Sequence, residues 1–198
     1  MKHPQQKRAQ ETRDRILDAA EMLFDEKGYT KTSMNALAQK ADVSVGGLYE
    51  WFKNKEQVLT AVAERHVDDA GAHILARLAQ SGALDLKTRI EIVFEEAMAV
   101  HQSRPRLHHF LYTEAPRPPA LQAKLKSFDD AVELVLVDHY REQGVTPAKA
   151  KLKAAIVARA GQALLHDYAL DGDLPGSPKS RLADVVKATL LLAKDETV

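Results

Sequence analysis

The sequence predicts an all-α protein of about nine helices. Apolar residues recur at intervals of three and four along most of the chain, and no alternating pattern predicts a strand. Gly28, Gly144 and a proline cluster at residues 116–119 separate the helical segments. With 198 residues, 45% of them hydrophobic, the chain can bury a substantial core.

The composition excludes several function classes. The chain has no cysteine, which excludes disulfides, cysteine nucleophiles and thiolate metal sites. The 28 basic and 28 acidic residues cancel, so the chain as a whole is not a basic nucleic-acid binder. It has neither an apolar run of membrane-spanning length nor the apolar core of a signal peptide, which leads us to expect a cytoplasmic protein.

The N-terminal segment differs from this balance. Residues 1–15 carry five basic and two acidic side chains, an excess of three positive charges. Such a segment suits a phosphate backbone, although a solvated terminus has the same composition. We expect residues 1–10 to be a disordered basic arm.

The first four helices have recognisable ends. An apolar stripe from Ile16 to Phe24 predicts a helix that Gly28 ends. Thr32 is the predicted N-cap of a short second helix, and Ser44 caps a third over Val45–Phe52. Asn54 is expected to cap a fourth helix, which continues beyond residue 66.

The later helices follow the same signals. Asp85 is the predicted N-cap of a helix that reaches His101, and a short helix around residues 107–111 ends before the prolines. A long helix over about residues 121–139 is stopped by Gly144. Thr-Pro at 146–147 and Ser-Pro at 177–178 are expected to begin the last two helices, over about 147–170 and 178–193.

The second and third helices form a helix-turn-helix pattern from about Thr32 to Phe52. Leu37 and Ala38 are expected to pack on Leu48, while Val43 fills the turn and the small Ala41 lets the helices cross closely. This pattern is typical of a DNA-recognition unit, although helix hairpins are also common in other all-α folds.

A longer string of residues makes the interpretation specific. The segments are Arg15–Ala20, Leu23-Phe24, Gly28–Ser33, Leu37-Ala38, Val43–Tyr49 and Phe52–Lys55. Over residues 13–60 this string closely resembles the TetR family of bacterial regulators. Beyond residue 60 the resemblance is one of architecture, although His108–Pro118 is similar to the second domain of one subgroup. The resemblance to the TetR family implies a DNA-binding domain over 1–54 and a ligand-binding and dimerisation domain over 55–198.

The resemblance also implies DNA contacts for matched residues. Helix N-termini bind phosphate well, and Val45, Gly46 and Gly47 would face the major groove. Phosphate contacts are implied for the remaining matched positions, which are Thr32, Ser33, Ser44, Tyr49, Trp51 and Lys55. With so few polar side chains facing the bases, readout would depend on thymine methyl groups and DNA shape.

Three residues depart from the family's common pattern. Asp42 stands where glycine is usual, and aspartate tolerates the left-handed conformation, so the turn is expected to survive. Trp51 replaces a residue that often contacts the DNA backbone, and its indole N–H remains a donor. Glu50 adds a carboxylate to the recognition helix, where it would repel phosphate unless it points outward or accepts a hydrogen bond from cytosine.

The last two predicted helices suggest self-association. The helix over 147–170 has many small residues and apolar residues on two faces, so it needs partners on both sides. Pairing this helix and the one over 178–193 with their symmetry mates would give a four-helix dimer interface, as the resemblance also implies. The alternative is an intramolecular core.

Polar residues within apolar stripes suggest an effector pocket. The candidates are Phe94, His101, His108, Tyr112, Phe128, His139 and His166. His101, His139 and His166 could be metal ligands, could line a pocket for a small aromatic or acidic effector, or could be interior histidines with structural roles. We expect neither a metal site nor a cofactor.

Together these patterns predict a ligand-responsive transcriptional regulator. The resemblance implies a homodimer that represses from a near-palindromic DNA operator and is released by a small molecule. The alternatives are a histidine-ligated metal enzyme and a helical protein-binding adaptor. The sequence has no phosphate loop, nucleophile elbow or metalloprotease motif, which disfavours an enzyme.

Overall fold

The computed structural model describes residues 4–80, 84–169 and 175–194. In these ranges the chain forms nine α-helices and no strand, which confirms the all-α prediction. The helices are α1 (Pro4–Lys27), α2 (Met34–Lys40), α3 (Val45–Trp51), α4 (Lys55–Gln80), α5 (Leu86–Ser103), α6 (Pro105–Thr113), α7 (Pro119–Glu142), α8 (Pro147–Leu164) and α9 (Pro178–Lys194). A π-helical turn, Leu165–Ala169, follows α8. None of the described helices has the length and hydrophobicity needed to span a membrane.

N-caps and glycines near the helix ends explain where several of the helices begin or end. Side-chain oxygens of Ser44, Asn54 and Asp85 accept N–H groups of the first turns of α3, α4 and α5, at 3.0, 2.9 and 2.7 Å. These three N-caps are confirmed. Gly28 and Gly144 follow α1 and α7 with φ angles of 82° and 81°, the left-handed conformation that favours glycine.

Two local predictions are wrong. Residues 4–10 belong to α1 rather than to a disordered arm, because Pro4 suits the first helical position and no helix breaker follows before Gly28. Residues 1–3 lie outside the described residues. The N-cap of α2 is Ser33, whose hydroxyl accepts the Ala36 N–H at 3.2 Å, whereas the preceding Thr32 is buried.

The chain divides into two compact units. The first unit comprises Met1–Val67 and Ser103–Gln122, and the second comprises Asp68–Gln102 and Ala123–Val198, within the limits of the described residues. The first unit therefore extends past residue 54, where the sequence analysis placed the end of the DNA-binding domain. It includes α6 because Asp25 of α1 accepts the backbone N–H groups of Arg106 and Leu107, both at 3.0 Å. These N–H groups open α6, so Asp25 acts as its cap.

The core of the first unit joins α1 to the helices that follow it. Its fully buried side chains come from α1, α2, α3, α4 and α6: Ile16, Leu17, Phe24, Leu37, Leu48, Val58, Leu59, Val62 and Leu107. A charged cluster lies beside this core. The Arg65 guanidinium donates to Glu21 at 2.6 Å and lies 2.8 Å from Asp18, and Arg104 lies 3.2 Å from Glu21.

The core of the second unit is built on small residues of α8. Ala150, Ala154 and Val157 are fully buried in a cluster that also contains Tyr140 of α7 and Val185 of α9. The Tyr140 hydroxyl donates to the Ala193 carbonyl at 3.1 Å. The small residues of α8 thus pack in a core that also buries the large Tyr140 ring, and the Tyr140 hydroxyl has a hydrogen-bond partner there.

We expect the stability of the protein to fall at alkaline pH through Tyr140. Burial raises the pKa of Tyr140 from its ordinary value of 10.0 to about 12. A raised folded-state pKa gives stability that is complete below the unfolded-state pKa and is lost as the pH rises through the folded-state value. Urea titrations should therefore show a falling free energy of unfolding between about pH 10 and 12, and Tyr140→Phe should reduce this decline. Equal declines in the two proteins would contradict the prediction.

Candidate DNA-contacting surface and effector cavity

The turn between α2 and α3 has the expected helix-turn-helix geometry. The Val43 N–H donates to the Ala38 carbonyl at 3.0 Å, and Asp42 takes the left-handed conformation with φ 53°. Aspartate therefore replaces glycine here without loss of the turn. Leu37, Ala38 and Leu48 belong to one buried cluster, and Val43 packs against it, as predicted.

Most of the surface of helix α3 is exposed. Leu48 is the one fully buried residue in this helix. Val45, Tyr49 and Trp51 are 41%, 42% and 38% exposed, which is unusual for three large apolar side chains on a seven-residue helix. Val45 and Tyr49 lie one turn apart on the same face of α3, so they form an exposed apolar patch of the kind that often contacts another molecule.

The glycines of α3 differ in their surroundings. A Cβ atom built on Gly46 would have no neighbour within 4 Å, so packing within the first unit does not require glycine there. A Cβ atom on Gly47 would lie 3.1 Å from the Ser44 hydroxyl oxygen, which caps α3. Gly46 is exposed, and its missing side chain lets another molecule approach the backbone closely.

Thr32 and Ser33 have different environments. The Thr32 side chain is only 2% exposed, and its hydroxyl donates to the Gly28 and Leu23 carbonyls at 2.9 and 3.3 Å. Its hydroxyl is therefore turned into the protein, away from any phosphate. Ser33 and Ser44 are exposed caps.

Lys55 occupies a position that the sequence did not reveal. Its ammonium group donates to the carbonyls of Tyr29, Thr32 and Thr30 at 2.7, 2.8 and 3.4 Å. It also lies 4.3 Å from the centroid of the Tyr29 ring, within cation–π range. An ammonium has three donors, so these carbonyls account for them all. Lys55 thus fastens the loop between α1 and α2 to the start of α4.

Two predicted pocket residues belong to the first unit. The His108 Nδ1 atom lies 3.0 Å from Nε2 of His66, so these half-buried histidines join α6 to α4. Tyr112 of α6 is exposed. Neither His108 nor Tyr112 lines the cavity described next.

The second unit contains a cavity of about 320 Å³. Four of the predicted pocket residues, Phe94, His101, Phe128 and His166, line it. The rings of His101 and His166 are neighbours, with centroids 4.8 Å apart. Other apolar lining residues come from α5, α7 and α8: Ile90, Val93, Val132, Leu136 and Val157.

His139 lies apart from the other two histidines that were considered together as metal ligands. Its Nε2 atom is 3.0 Å from the side-chain nitrogen of Gln143, and it does not line the cavity. Burial lowers the pKa of His139.

The cavity wall includes carboxylates that the sequence analysis did not select. Asp129 and Glu133 lie four residues apart on α7, on the wall that also carries Phe128 and Val132. Burial raises the pKa of Asp129, and the charges of Glu133 and Asp130 raise it further. One sequence signal could have identified these carboxylates: Asp129 and Glu133 are one helical turn apart and lie beside Phe128 and Val132 of the apolar stripe.

Comparisons with known proteins agree with this geometry. Residues 16–62 match the family model described as bacterial regulatory proteins, tetR family. An HTH-type transcriptional regulator of Mycobacterium tuberculosis is 29% identical over 103 residues, which is 52% of this chain and 50% of that protein. One of Staphylococcus aureus is 40% identical over 62 residues, 31% of this chain and 34% of that protein. The matches thus span half or less of these curated relatives.

The likeness of fold extends over nearly the whole chain. The crystal structure of a TetR/AcrR-family transcriptional regulator from Thermobifida fusca superposes with a TM-score of 0.69. It is 22% identical, and the match covers 93% of this chain and 97% of that one. The family-specific segment lies on the helix-turn-helix, and the fold is that of the TetR/AcrR regulators. Residues 16–62 therefore match the tetR family model, and the chain as a whole is similar to these regulators in fold.

Proposed function

We propose that the protein is a DNA-binding transcriptional repressor that binds a near-palindromic operator as a homodimer and is released by a small-molecule effector. The observation that carries this proposal is the exposure of Val45, Tyr49 and Trp51 on α3, a helix in which Leu48 is the one buried residue. The major groove of B-DNA admits an α-helix presented in this way. The relatives named as HTH-type transcriptional regulators support the same function.

The proposed contacts follow from exposure. Val45 and Gly46, with Gly47 beside them, face the bases, where apolar contact with thymine methyl groups and DNA shape provide the readout. Ser33, Ser44, Tyr49 and Trp51 are exposed and carry hydrogen-bond donors for phosphates. Thr32 and Lys55 are left out of this set because their polar groups are bonded within the protein.

The proposed dimer uses the outer faces of α8 and α9. Leu152, Ile156 and Leu191 are 61%, 38% and 64% exposed, whereas the opposite side of α8 is buried within the second unit. Exposed apolar side chains on neighbouring helices are typical of a protein–protein interface. A second copy of the chain would cover them in an isologous contact.

The effector is proposed to bind in the cavity of the second unit. It can release DNA only if it binds more tightly to the dimer geometry that fits the operator poorly. The protein would act in the cytoplasm, through binding equilibria rather than through catalysis.

Selection of bound fragments from genomic DNA with the full chain tests the proposal. We expect an inverted repeat, bound with an affinity that falls steeply with salt because phosphate contacts release counterions. Tyr49→Phe removes one hydroxyl from each protomer and should weaken operator binding at least about tenfold, since each half-site loses a hydrogen bond to a charged group. Tyr112→Phe, the same change at an exposed tyrosine of α6, should leave the affinity unchanged.

The dimer is tested with the same operator. Leu152→Glu should dissociate the dimer in sedimentation analysis and lower operator affinity at least a hundredfold, because each half-site is then bound independently. Leu134→Glu is the matched control, since Leu134 is 57% exposed on α7, which is not one of the two helices of the proposed interface. Failure of the wild-type protein to enrich any DNA would overturn the proposed function and favour the adaptor.

A further inference from the structure

We propose that the cavity of the second unit takes an apolar molecule with one basic, cationic nitrogen, and that the Asp129 carboxylate receives that nitrogen. This inference rests on the proposed function, in which the cavity is the effector site. It names the chemical class of the effector.

The size and lining of the cavity favour a ligand that is mostly apolar. Its volume of about 320 Å³ suits a small organic molecule. The walls carry the aromatic rings of Phe94 and Phe128 together with aliphatic side chains of α5, α7 and α8. An apolar molecule is favoured here because it leaves few polar groups without partners.

The charged lining residues differ in their partners. Lys126 pairs with Asp130 at 2.7 Å, at the exposed edge of α7. Arg159 lies 3.7 Å from Glu133, and the Arg89 guanidinium donates to the Leu84 carbonyl at 3.1 Å. Lys126 and Arg159 thus pair with carboxylates other than Asp129, although the Arg159 charge also acts on Asp129 and lowers its pKa, and Arg89 donates to a carbonyl.

Asp129 is the carboxylate left to receive a ligand. Within the ranges that the structure describes, it accepts a hydrogen bond from the Gln162 amide at 3.4 Å and forms no ion pair. It is half-buried, and its pKa is raised both by burial and by the neighbouring Glu133 and Asp130 charges. A ligand cation would offset that repulsion and form a charge-assisted hydrogen bond.

The same wall disfavours an acidic ligand. An anion beside α7 would meet the Asp129 carboxylate, which forms no ion pair with any described residue, whereas Asp130 and Glu133 are already paired with Lys126 and Arg159. The His101 and His166 imidazoles can donate or accept, so they accommodate either charge. The aromatic rings of the lining favour a cation, because a positive charge is attracted to the face of an aromatic ring.

Calorimetry with three probes of equal chain length tests the inference: decylammonium, decanol and decanoate, each titrated into the full chain at neutral pH. Decylammonium should bind about tenfold more tightly than decanol, the ratio expected for one charge-assisted hydrogen bond. Asp129→Asn should abolish this preference while leaving decanol binding unchanged. Asp138→Asn removes an equal charge from an exposed position of α7 outside the cavity and should keep the preference.

Three outcomes would overturn the inference: tightest binding of decanoate, no binding of any probe, or an undiminished preference in Asp129→Asn. A parallel DNA-release assay separates this inference from the proposed function. Preferential decylammonium binding without DNA release supports the ligand class and contradicts the regulation. Release by decanoate supports the regulation and overturns the ligand class.

Discussion

Lys55→Met is expected to lower the free energy of unfolding by about 2–3 kcal/mol, because hydrogen bonds to a charged group contribute about 1.5–3 kcal/mol. Methionine keeps the unbranched apolar stem of lysine and removes the ammonium group. The carbonyls of Tyr29 and Thr32, which now accept at 2.7 and 2.8 Å, would lose this partner. Urea denaturation of the full chain measures the loss, with Lys53→Met as an exposed control that should change stability by less than about 0.5 kcal/mol.

The same variant separates two roles for Lys55. If Lys55 positions the loop between α1 and α2, Lys55→Met should weaken operator binding without changing the number of phosphates neutralised. If Lys55 binds a phosphate, stability should be unchanged and the slope of log K against log salt should become shallower by about two, one for each protomer. That second result would contradict the positioning role.

The sequence predicted those parts of the fold that depend on neighbouring residues. The caps Ser44, Asn54 and Asp85 lie three residues before the N–H groups they accept, so a short window contains both partners. The left-handed conformation of Gly28 was likewise predicted from its position after a helix, and that of Asp42 from the glycine that is usual there in the family it resembles. Thr32 shows the limit of such signals. Thr32 and Ser33 are both good caps, and the choice was made by Leu23 and Gly28, whose carbonyls bind the Thr32 hydroxyl.

The remaining features depend on contacts between distant residues. Lys55 reaches carbonyls that lie more than 20 positions earlier, and Asp25 caps a helix that begins 80 positions later. Neither pair leaves a periodic signal, so the predicted division after residue 54 missed α6. Asp129 was overlooked for a related reason, since a carboxylate on a helix is usually solvated and only the packing of α7 against α8 places it in a cavity wall.

A substitution at Gly161 is expected to act on the cavity more than on stability. A Cβ atom built on this buried residue of α8 would lie 2.7 Å from Cζ of Phe94 and 3.2 Å from the Thr189 hydroxyl oxygen. A distance of 2.7 Å is too short for two carbon atoms, so in Gly161→Ala the Phe94 ring must move. Phe94 borders the cavity, which leaves the ring space to move into.

Gly161→Ala has two opposing effects on stability and one effect on ligand binding. Overpacking costs about 1–3 kcal/mol, while replacing glycine by alanine within a helix gains about 1 kcal/mol, so the free energy of unfolding should fall by no more than about 2 kcal/mol. The displaced ring would occupy ligand space, and decylammonium affinity should fall at least tenfold. Gly71→Ala is the matched control, because its Cβ atom would lie 3.4 Å from the Phe128 ring, an ordinary contact. Calorimetry and urea denaturation on both variants give the comparison. Unchanged ligand affinity in Gly161→Ala would mean that Phe94 does not limit the space available to the ligand.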